Sequence, residues 1–343
     1  MSEMRSGREL IAASKEFQPE SRARSWAHFV ETFAVTFALA AALVLVPYWW
    51  VKLPLAILQG LVLVRIFILY HDFMHNSLLR GSRFAKWIMY AYGVLVLTPP
   101  KTWRQTHNYH HAHTAKIVGS HVGSYLMVTT EMWETLTPRQ RLMYKLIRHP
   151  LTILFGYFTI FLYGMCVSSF LRAPRKNWDS LLALIVNIVL SAAIWYFAGF
   201  EVYLFAFFLP LFVATATGAY LFYAQHNFPD LYVQPRDKWD YARAALESSS
   251  YMETGPILRW LTGNIGYHHV HHLNPGIPFY RLPEAMAGIP ELQNPRKTTL
   301  SPGDIAACFR QKLWDAEREE MVGYPKNAPS RDQRSSGDEA VQA

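Results

Sequence analysis

The sequence predicts an all-α integral membrane protein with four transmembrane helices, one or two re-entrant or interfacial helices, and a helical cytoplasmic cap that carries clustered histidines. Three observations lead to this prediction. Apolar residues make up 51% of the 343-residue chain and gather in long uncharged runs, a composition typical of membrane proteins. The loops within pairs of runs are very short. Most of the 14 histidines stand in a few short groups beside the runs.

Four apolar runs are long enough to cross a bilayer, because a helix of about 20 residues spans a hydrocarbon layer of ~30 Å. These predicted spans are residues 33–50, 53–70, 181–200 and 202–223. The loops within each pair carry only Lys52 and Glu201 as charges, whereas the N-terminal segment (1–32) and the middle and C-terminal segments are rich in Lys and Arg. Since basic loops stay in the cytoplasm, we expect both termini and the histidine groups there.

Two further apolar runs, residues 87–100 and 151–171, complicate this topology. The second is long enough to span, but basic residues such as Arg148 and Arg172 flank it on both sides. Both flanks are therefore expected in the cytoplasm. We predict that these runs form re-entrant or interfacial helices.

The chain becomes polar after the fourth span. Ser301, Pro302 and Asp304 are typical of a helix start, and the apolar spacing that follows predicts an amphipathic helix over residues 302–321. The membrane domain is therefore expected to cover residues 33–321. Residues 322–343 have almost no apolar anchor, which predicts a disordered tail.

Several function classes lose support from composition and motifs. The formal net charge of +8 could indicate nucleic-acid binding, but the basic residues flank apolar runs, where membrane topology accounts for them. Cys166 and Cys308 form no CxxC pair, which argues against a disulfide framework and a thiolate metal site. The chain has no HExxH, GxSxG, GxGxxG or GxxxxGK[ST] motif, so hydrolase and nucleotide-binding functions are disfavoured.

Eleven of the 14 histidines fall into four short clusters. They are His71 and His75; His107, His110, His111 and His113; His226; and His268, His269, His271 and His272. Spacings of three and four residues place imidazoles on one face of a helix. Neutral imidazole binds Fe, Zn or Cu, and eight or nine such ligands exceed the four that a structural zinc needs. The pattern indicates a dinuclear metal site.

Three residues near the clusters are candidates for supporting roles. His113 and His269 lie beside the patterned positions, and their spacing alone does not exclude them as ligands. We expect them to support the ligands or to face substrate instead. Asn264, four residues before His268, could provide a supporting amide. Arg65, the one charge inside a predicted span, is expected to reach the interface as an anchor or to bind a lipid headgroup.

The three histidine boxes HDFMH, HNYHH and HHVHH, with apolar pairs between them, resemble the membrane fatty acid desaturase superfamily. The likeness is greatest to bacterial acyl-lipid desaturases over about residues 60–315, especially in VRIFILYHDFMH, LFYAQHNF and LTGNIGYHHVHHLNPGIPFYRL. The resemblance implies a bacterial inner-membrane enzyme with two non-haem irons and no catalytic residues beyond their ligands. The ligands that it implies are His71, His75, His107, His110, His111, His226, His268, His271 and His272.

The same resemblance implies that the protein uses O2 to place a cis double bond in a fatty acyl chain, with membrane lipid as the substrate. Nicotinamide and flavin motifs and the HPGG haem motif are absent, so electrons are expected from a separate ferredoxin-like protein. A basic face could bind such a donor. The basic residues that suggest this face are Arg104, Lys116, Arg236 and Lys238.

Two alternatives stay open at this point. A related di-iron hydroxylase or ketolase would use the same histidine boxes. A metal transporter or sensor is a weaker alternative, because transporters place ligands near the bilayer midplane and the predicted spans contain no histidine or carboxylate.

The sequence departs from the pattern of acyl-CoA desaturases at one position near the clusters: those enzymes have Asn where this chain has Phe222.

Overall fold

The computed structural model describes residue 5 and residues 7–117 and 122–325, and this part of the chain is mostly helical. The helices are α1 (Gly7–Ser14), α2 (Arg22–Leu45), α3 (Trp49–Met74), α4 (Arg83–Leu95), α5 (Pro100–Ala112), α6 (Thr130–Thr135), α7 (Pro138–Ile147), α8 (Pro150–Leu154), α9 (Ser169–Arg172), α10 (Trp178–Ala198), α11 (Phe200–Val202), α12 (Leu209–Gln225), α13 (Tyr241–Glu247), α14 (Pro256–Leu261), α15 (His268–Leu273), α16 (Leu282–Gly288) and α17 (Pro302–Arg310). Wider π-type helices over Tyr157–Ser168 and Tyr203–Phe208 connect α8 to α9 and α11 to α12.

Four short strands within the described residues form two small sheets. β1 (Tyr251–Glu253) pairs in parallel with β2 (Lys297–Thr299). β3 (Leu313–Asp315) pairs antiparallel with β4 (Glu320–Val322). Both sheets lie in the polar part of the chain that follows α12.

Four helices in the described part of the chain are long and apolar enough to cross a membrane: α2, α3, α10 and the continuous stretch Phe200–Gln225. The first of them begins and ends earlier than the predicted span of residues 33–50. Pro47 explains its early end, because the residue before a proline disfavours the helical region. Val46 is accordingly extended, with ψ of 126°.

α3 is the central helix of the bundle. In its most apolar 18-residue stretch 56% of the residues are buried, whereas in the corresponding stretches of the other three helices 22% or fewer are buried. It packs closely on α12 at Gly60, where an added Cβ would lie 2.6 Å from the Cβ of Val213. The C-terminal ends of α3 and α12 lie at the same end of the bundle. His71, in the last turn of α3, and His226, directly after α12, are therefore both at that end.

Arg65 lies inside the protein rather than at its surface, since it is only 2% exposed. Its Nε donates to Thr32 Oγ1 at 3.0 Å, and its guanidinium lies 3.8 Å from the Glu31 carboxylate and 4.2 Å from the Trp260 ring centroid. This burial contradicts the expected lipid headgroup ligand, whereas anchoring at the interface stays a prediction. The arginine joins α2, α3 and α14.

The two other apolar runs are helical and pack along the bundle. α4 covers most of residues 87–100, and Pro100 starts α5. α8, the first π-type helix and α9 cover residues 151–171. The Tyr157 hydroxyl of this stretch donates to Asn187 Oδ1 of α10 at 2.7 Å.

The C-terminal region differs from the prediction of one helix over residues 302–321. α17 starts where the sequence indicated, with the Ser301 side chain accepting from the Asp304 amide, but it ends at Arg310. The chain then forms the β3–β4 hairpin, because Trp314 is buried beside Tyr232 and bonds through its amide to the Val128 carbonyl. These tertiary contacts outweigh the helical spacing.

The start of the predicted disordered tail is ordered. Val322 lies in β4, and Tyr324 packs on Trp133 with ring centroids 5.0 Å apart. Residues 326–343, the rest of the predicted tail, lie outside the described residues.

Candidate metal centre

Nine histidines converge at the end of the bundle where α3 and α12 terminate. They come from the last turn of α3 and the residue after it, the second half of α5, the residue after α12, and α15. They form two groups, and in each group the ligand-capable nitrogens lie within 4.8 Å of one another. The first group is His71, His75, His107, His111 and His271, and the second group is His110, His226, His268 and His272.

The four Nε2 atoms of the second group form a closed ring. The distances are 3.1 Å from His110 to His226 and 2.8 Å from His226 to His268. The ring closes with 3.1 Å from His268 to His272 and 3.2 Å from His272 to His110. Imidazole nitrogens held about 2.1 Å from one ion lie about 3 Å apart. The second group therefore has the spacing of a metal ligand set.

The first group has a similar spacing. The Nε2 atom of His107 lies 3.0 Å from that of His71 and 3.1 Å from that of His111, which in turn lies 3.1 Å from Nε2 of His271. The Nε2 atom of His75 is buried without a hydrogen-bond partner. A buried polar atom without a partner is costly, and a bound cation would satisfy it.

Burial favours the neutral form of the imidazoles that lie outside the spans. Burial, with a smaller contribution from neighbouring imidazoles, lowers the pKa of His107, His110, His111, His268, His271 and His272 well below the usual range. Burial likewise lowers the pKa of His226 to about 4. Neutral imidazoles offer lone pairs to a metal, so both groups fit a transition-metal cation.

Oxygen atoms outside the groups orient several rings. His226 Nδ1 lies 3.1 Å from the Ser248 carbonyl, which can only accept, so the proton is on Nδ1 and the Nε2 lone pair faces the group. His71 Nδ1 similarly faces Asp72 Oδ1 at 3.0 Å. Such partners fix the tautomer that binds metal. Comparable Nδ1 contacts are His110 to Ser124 Oγ at 2.5 Å and His272 to Thr114 Oγ1 at 3.1 Å.

Asp179 of α10 fixes the N-terminal end of α5, the helix that carries the HNYHH box. Its carboxylate accepts from the amides of Lys101 and Thr102 at 2.7 and 3.0 Å, and from Thr102 Oγ1 at 2.8 Å. The amides in the first turn of a helix lack intrahelical partners, and a carboxylate there is stabilising. The buried Asp179 thus fixes where α5 starts and how it presents its histidines.

The three residues with expected supporting roles lie outside both groups. His113 stacks on Tyr109, with ring centroids 3.9 Å apart. His269 is fully buried and its Nε2 lies 3.2 Å from the Leu292 carbonyl. Asn264 donates its amide to the Phe279 carbonyl at 3.1 Å. Each of these contacts is with the surrounding chain.

Two aromatic residues that the sequence did not single out as site residues contact the groups. Trp103 stacks on His107 with ring centroids 4.3 Å apart. Phe222 has its ring centroid 4.9 Å from that of His110 and 5.5 Å from that of His226. Trp103 is four residues before His107 and Phe222 four before His226, so helical spacing was the available signal.

A mostly apolar cavity of about 370 Å³ adjoins the metal centre. His71 and His107 of the first group and His268 of the second group line it. It extends along α12 as far as Ala214, between α3, α12 and the π-type helix that follows α8. The cavity thus connects both groups with apolar space inside the bundle.

Comparison with known proteins identifies the family. The family model described as "Fatty acid desaturase" matches residues 47–301. A protein of Bacillus subtilis named "Fatty acid desaturase" is 31% identical over 310 residues, which cover 90% of this chain and 87% of that protein. The chain belongs to the fatty acid desaturase family.

The names of more distant relatives of this desaturase include a lipid substrate. An "sn-1 oleoyl-lipid 12-desaturase" of Picosynechococcus is 24% identical over 78% of this chain and 76% of its own length. An "sn-1 acyl-lipid omega-3 desaturase (ferredoxin)" of Nostoc is 25% identical over 70% of this chain and 68% of its own length. The desaturase is therefore an oxidoreductase, and its four apolar helices together with these relatives indicate an integral membrane protein.

Asp72 provides a test of how the first group is oriented. Its Oδ1 faces His71 Nδ1, and its Oδ2 accepts from the Phe279 amide at 2.6 Å. In Asp72→Asn one of these positions becomes an NH2 group, so either His71 takes the wrong tautomer or the Phe279 amide loses its acceptor. We predict that metal affinity of the first group falls about 10–100-fold, measured by metal content after graded chelator treatment.

The control for this variant is Asp230→Asn, which changes an exposed carboxylate in the same way. Thermal unfolding of both variants in detergent checks that the fold is retained. Unchanged metal retention in folded Asp72→Asn would contradict the role given to Asp72.

Proposed function

We propose that this desaturase uses O2 to introduce a cis double bond into an acyl chain of a membrane lipid, at a di-iron centre held by the two histidine groups. The observation that carries the proposal is the cavity wall: histidines of both groups line one apolar cavity inside the bundle. An acyl chain fits such a space, and a hydrophilic substrate does not. The proposal treats all nine histidines as iron ligands and assigns no other catalytic residue.

Bound iron and the protein's side chains would contribute differently to the reaction. Hydrogen removal from an unactivated methylene needs a stronger oxidant than any side chain, and bound iron with O2 would supply it. The protein's own residues bind and orient the chain. Phe67, Leu221 and Ile265 form apolar cavity walls beside the histidines, and they keep water away from the reacting carbons.

The membrane orientation is part of the proposal. Both histidine groups lie at the end of the bundle where α3 and α12 terminate, and the basic segments favour the cytoplasm for that end and for both termini. We place the stretch from α8 to α9 as a re-entrant or interfacial element. The support for this placement is charge, because basic residues such as Arg148 and Arg172 flank the stretch on both sides.

A ferredoxin-like protein is the proposed electron donor. The name of the Nostoc relative includes ferredoxin, and the sequence has no nicotinamide or flavin motif. Arg104, Arg236 and Lys238 are exposed, and Lys116 is half-buried. We propose that these basic residues attract an acidic donor, with association weakening as salt rises.

The first test is expression in a bacterial host without its own desaturase, together with a ferredoxin and its reductase. Fatty acid methyl esters are analysed by mass spectrometry. We expect a new monoene that disappears in His271→Ala and persists in His149→Asn, since His149 stands outside both groups and Asn keeps its capping of α8. An oxygenated product would contradict desaturation and favour the hydroxylase alternative.

A second test concerns the acyl cavity. Gly218 of α12 lines it, and a Cβ added there would meet no atom within 4 Å. The first side-chain atom thus has room, and Gly218→Leu should narrow the cavity and favour shorter acyl chains, shifting the ratio of C16 to C18 monoenes about tenfold. The same fatty acid analysis measures this ratio.

Ala192→Leu is the matched control, because it adds the same kind of volume on the exposed face of α10. It should leave the product ratio unchanged. An unaltered ratio in Gly218→Leu would mean that the acyl chain lies elsewhere.

A further inference from the structure

Trp239, in the loop before α13, is joined to the second histidine group through one residue. Its indole Nε1 donates to the Thr114 carbonyl at 3.0 Å. Thr114 Oγ1 donates to the His110 carbonyl at 2.9 Å and lies 3.1 Å from His272 Nδ1. A short series of covalent and hydrogen bonds thus leads from a half-buried indole to a ring of the metal centre.

Tyr241 reaches the same histidine from the same segment. Its hydroxyl donates to the His272 carbonyl at 2.6 Å, and its ring centroid lies 6.4 Å from that of Trp239. Burial raises the pKa of Tyr241 to about 12, so its hydroxyl keeps the proton that it donates. Two aromatic side chains therefore fix the position of one histidine relative to the loop.

The other Nδ1 contacts lead elsewhere. Asp72, the partner of His71, continues to the amide of the buried Phe279. Ser124, the partner of His110, lines the acyl cavity. Ser248, the partner of His226, is buried. Its hydroxyl donates to the backbone carbonyl of Tyr232 at 2.6 Å. Among these Nδ1 contacts, the one through Thr114 continues by a hydrogen bond to an aromatic side chain, the half-buried indole of Trp239.

We propose that Trp239 and Thr114 form the route by which electrons enter the metal centre, with the protein donor docking over Trp239. The inference rests on the proposed function, because it treats His272 as a ligand of redox-active iron. Each transfer would oxidise the donor by one electron and reduce one of the two irons by one electron, the first group receiving its electron through the second group. Two transfers supply the two electrons that O2 needs beyond those taken from the acyl chain.

The surroundings of Trp239 determine how the route works. The Nζ of Lys116 lies 3.7 Å from the ring centroid of Trp239. A cation over an indole face stabilises the neutral ring and disfavours its oxidation to a radical cation. Trp239 therefore acts as a bridge in contact with the donor, not as a site where charge rests.

The charges around Trp239 restrict the partner. Arg236 and Lys238 are exposed on its N-terminal side, and Asp237 lies between them. Asp240, on the other side, accepts from the Arg243 amide at 2.9 Å, which caps α13. The exposed Arg236 and Lys238, with Lys116 on the ring, fit a small acidic one-electron carrier.

The experiment compares two reductants on purified, iron-loaded protein in nanodiscs. The first is a reduced plant-type [2Fe–2S] ferredoxin, whose oxidation is followed by stopped-flow absorbance. The second is dithionite with a small viologen mediator, which needs no docking surface. We expect Trp239→Leu to slow ferredoxin oxidation by at least about tenfold and to leave reduction by the viologen unchanged.

Two further variants make the test specific. Trp87→Leu removes an indole that is 77% exposed on α4 and should leave both rates unchanged. Thr114→Ser keeps the hydroxyl and should keep the rate, whereas Thr114→Val should slow ferredoxin oxidation and alter the iron spectrum by disturbing His272. Iron content and thermal unfolding are measured for every variant.

The outcomes separate the route from the proposed function. An unchanged ferredoxin rate in folded, iron-loaded Trp239→Leu would overturn the route. Equal slowing with ferredoxin and with viologen would overturn it too, because it would indicate general damage to the centre. If unmodified protein makes no monoene with either reductant while ferredoxin oxidation still depends on Trp239, the function fails and the route stands.

Discussion

The close approach of neutral imidazole nitrogens is the interaction on which this structure depends. In the second group, four Nε2 atoms lie 2.8–3.2 Å from their neighbours, and contacts to Ser248 and Thr114 turn the lone pairs of His226 and His272 inward. Lone pairs at that distance repel unless a proton or a cation lies between them. A bound metal ion would remove the repulsion, and its binding free energy would then contribute to folding.

Much of the surrounding structure keeps these rings in place. Asp179 fixes the start of α5, and the packing of α3 on α12 brings the first box and His226 together. The N-terminal segment packs beside the HHVHH box through Asn274, which lies two residues after His272. The Asn274 amide donates to Ser14 Oγ at 2.8 Å, and its oxygen accepts from the Gln18 amide at the same distance. Arg5 holds this segment through a two-point ion pair with Glu291, which lowers the pKa of that carboxyl to about 2.

Sequence patterns predicted the helical membrane fold and the convergence of the histidine boxes, but not the division into two groups. The pairs His71 and His75, His107 and His111, and His268 and His272 each share a group, as i, i+4 spacing suggests. His271 joins the first group and His110 the second because of how α5 and α15 cross, which no local pattern encodes. The same limit explains Arg65, whose partners on α2 and α14 are distant in sequence, and the β3–β4 hairpin.

The most direct test of the account is the metal content of protein purified from cells grown with iron, followed by Mössbauer spectroscopy of an 57Fe-enriched sample. The nine histidines predict about two iron ions per chain, since a single structural ion needs only four ligands, and two quadrupole doublets are expected from groups of five and four imidazoles. A single ion per chain, or bound zinc that iron does not replace, would contradict the central claim.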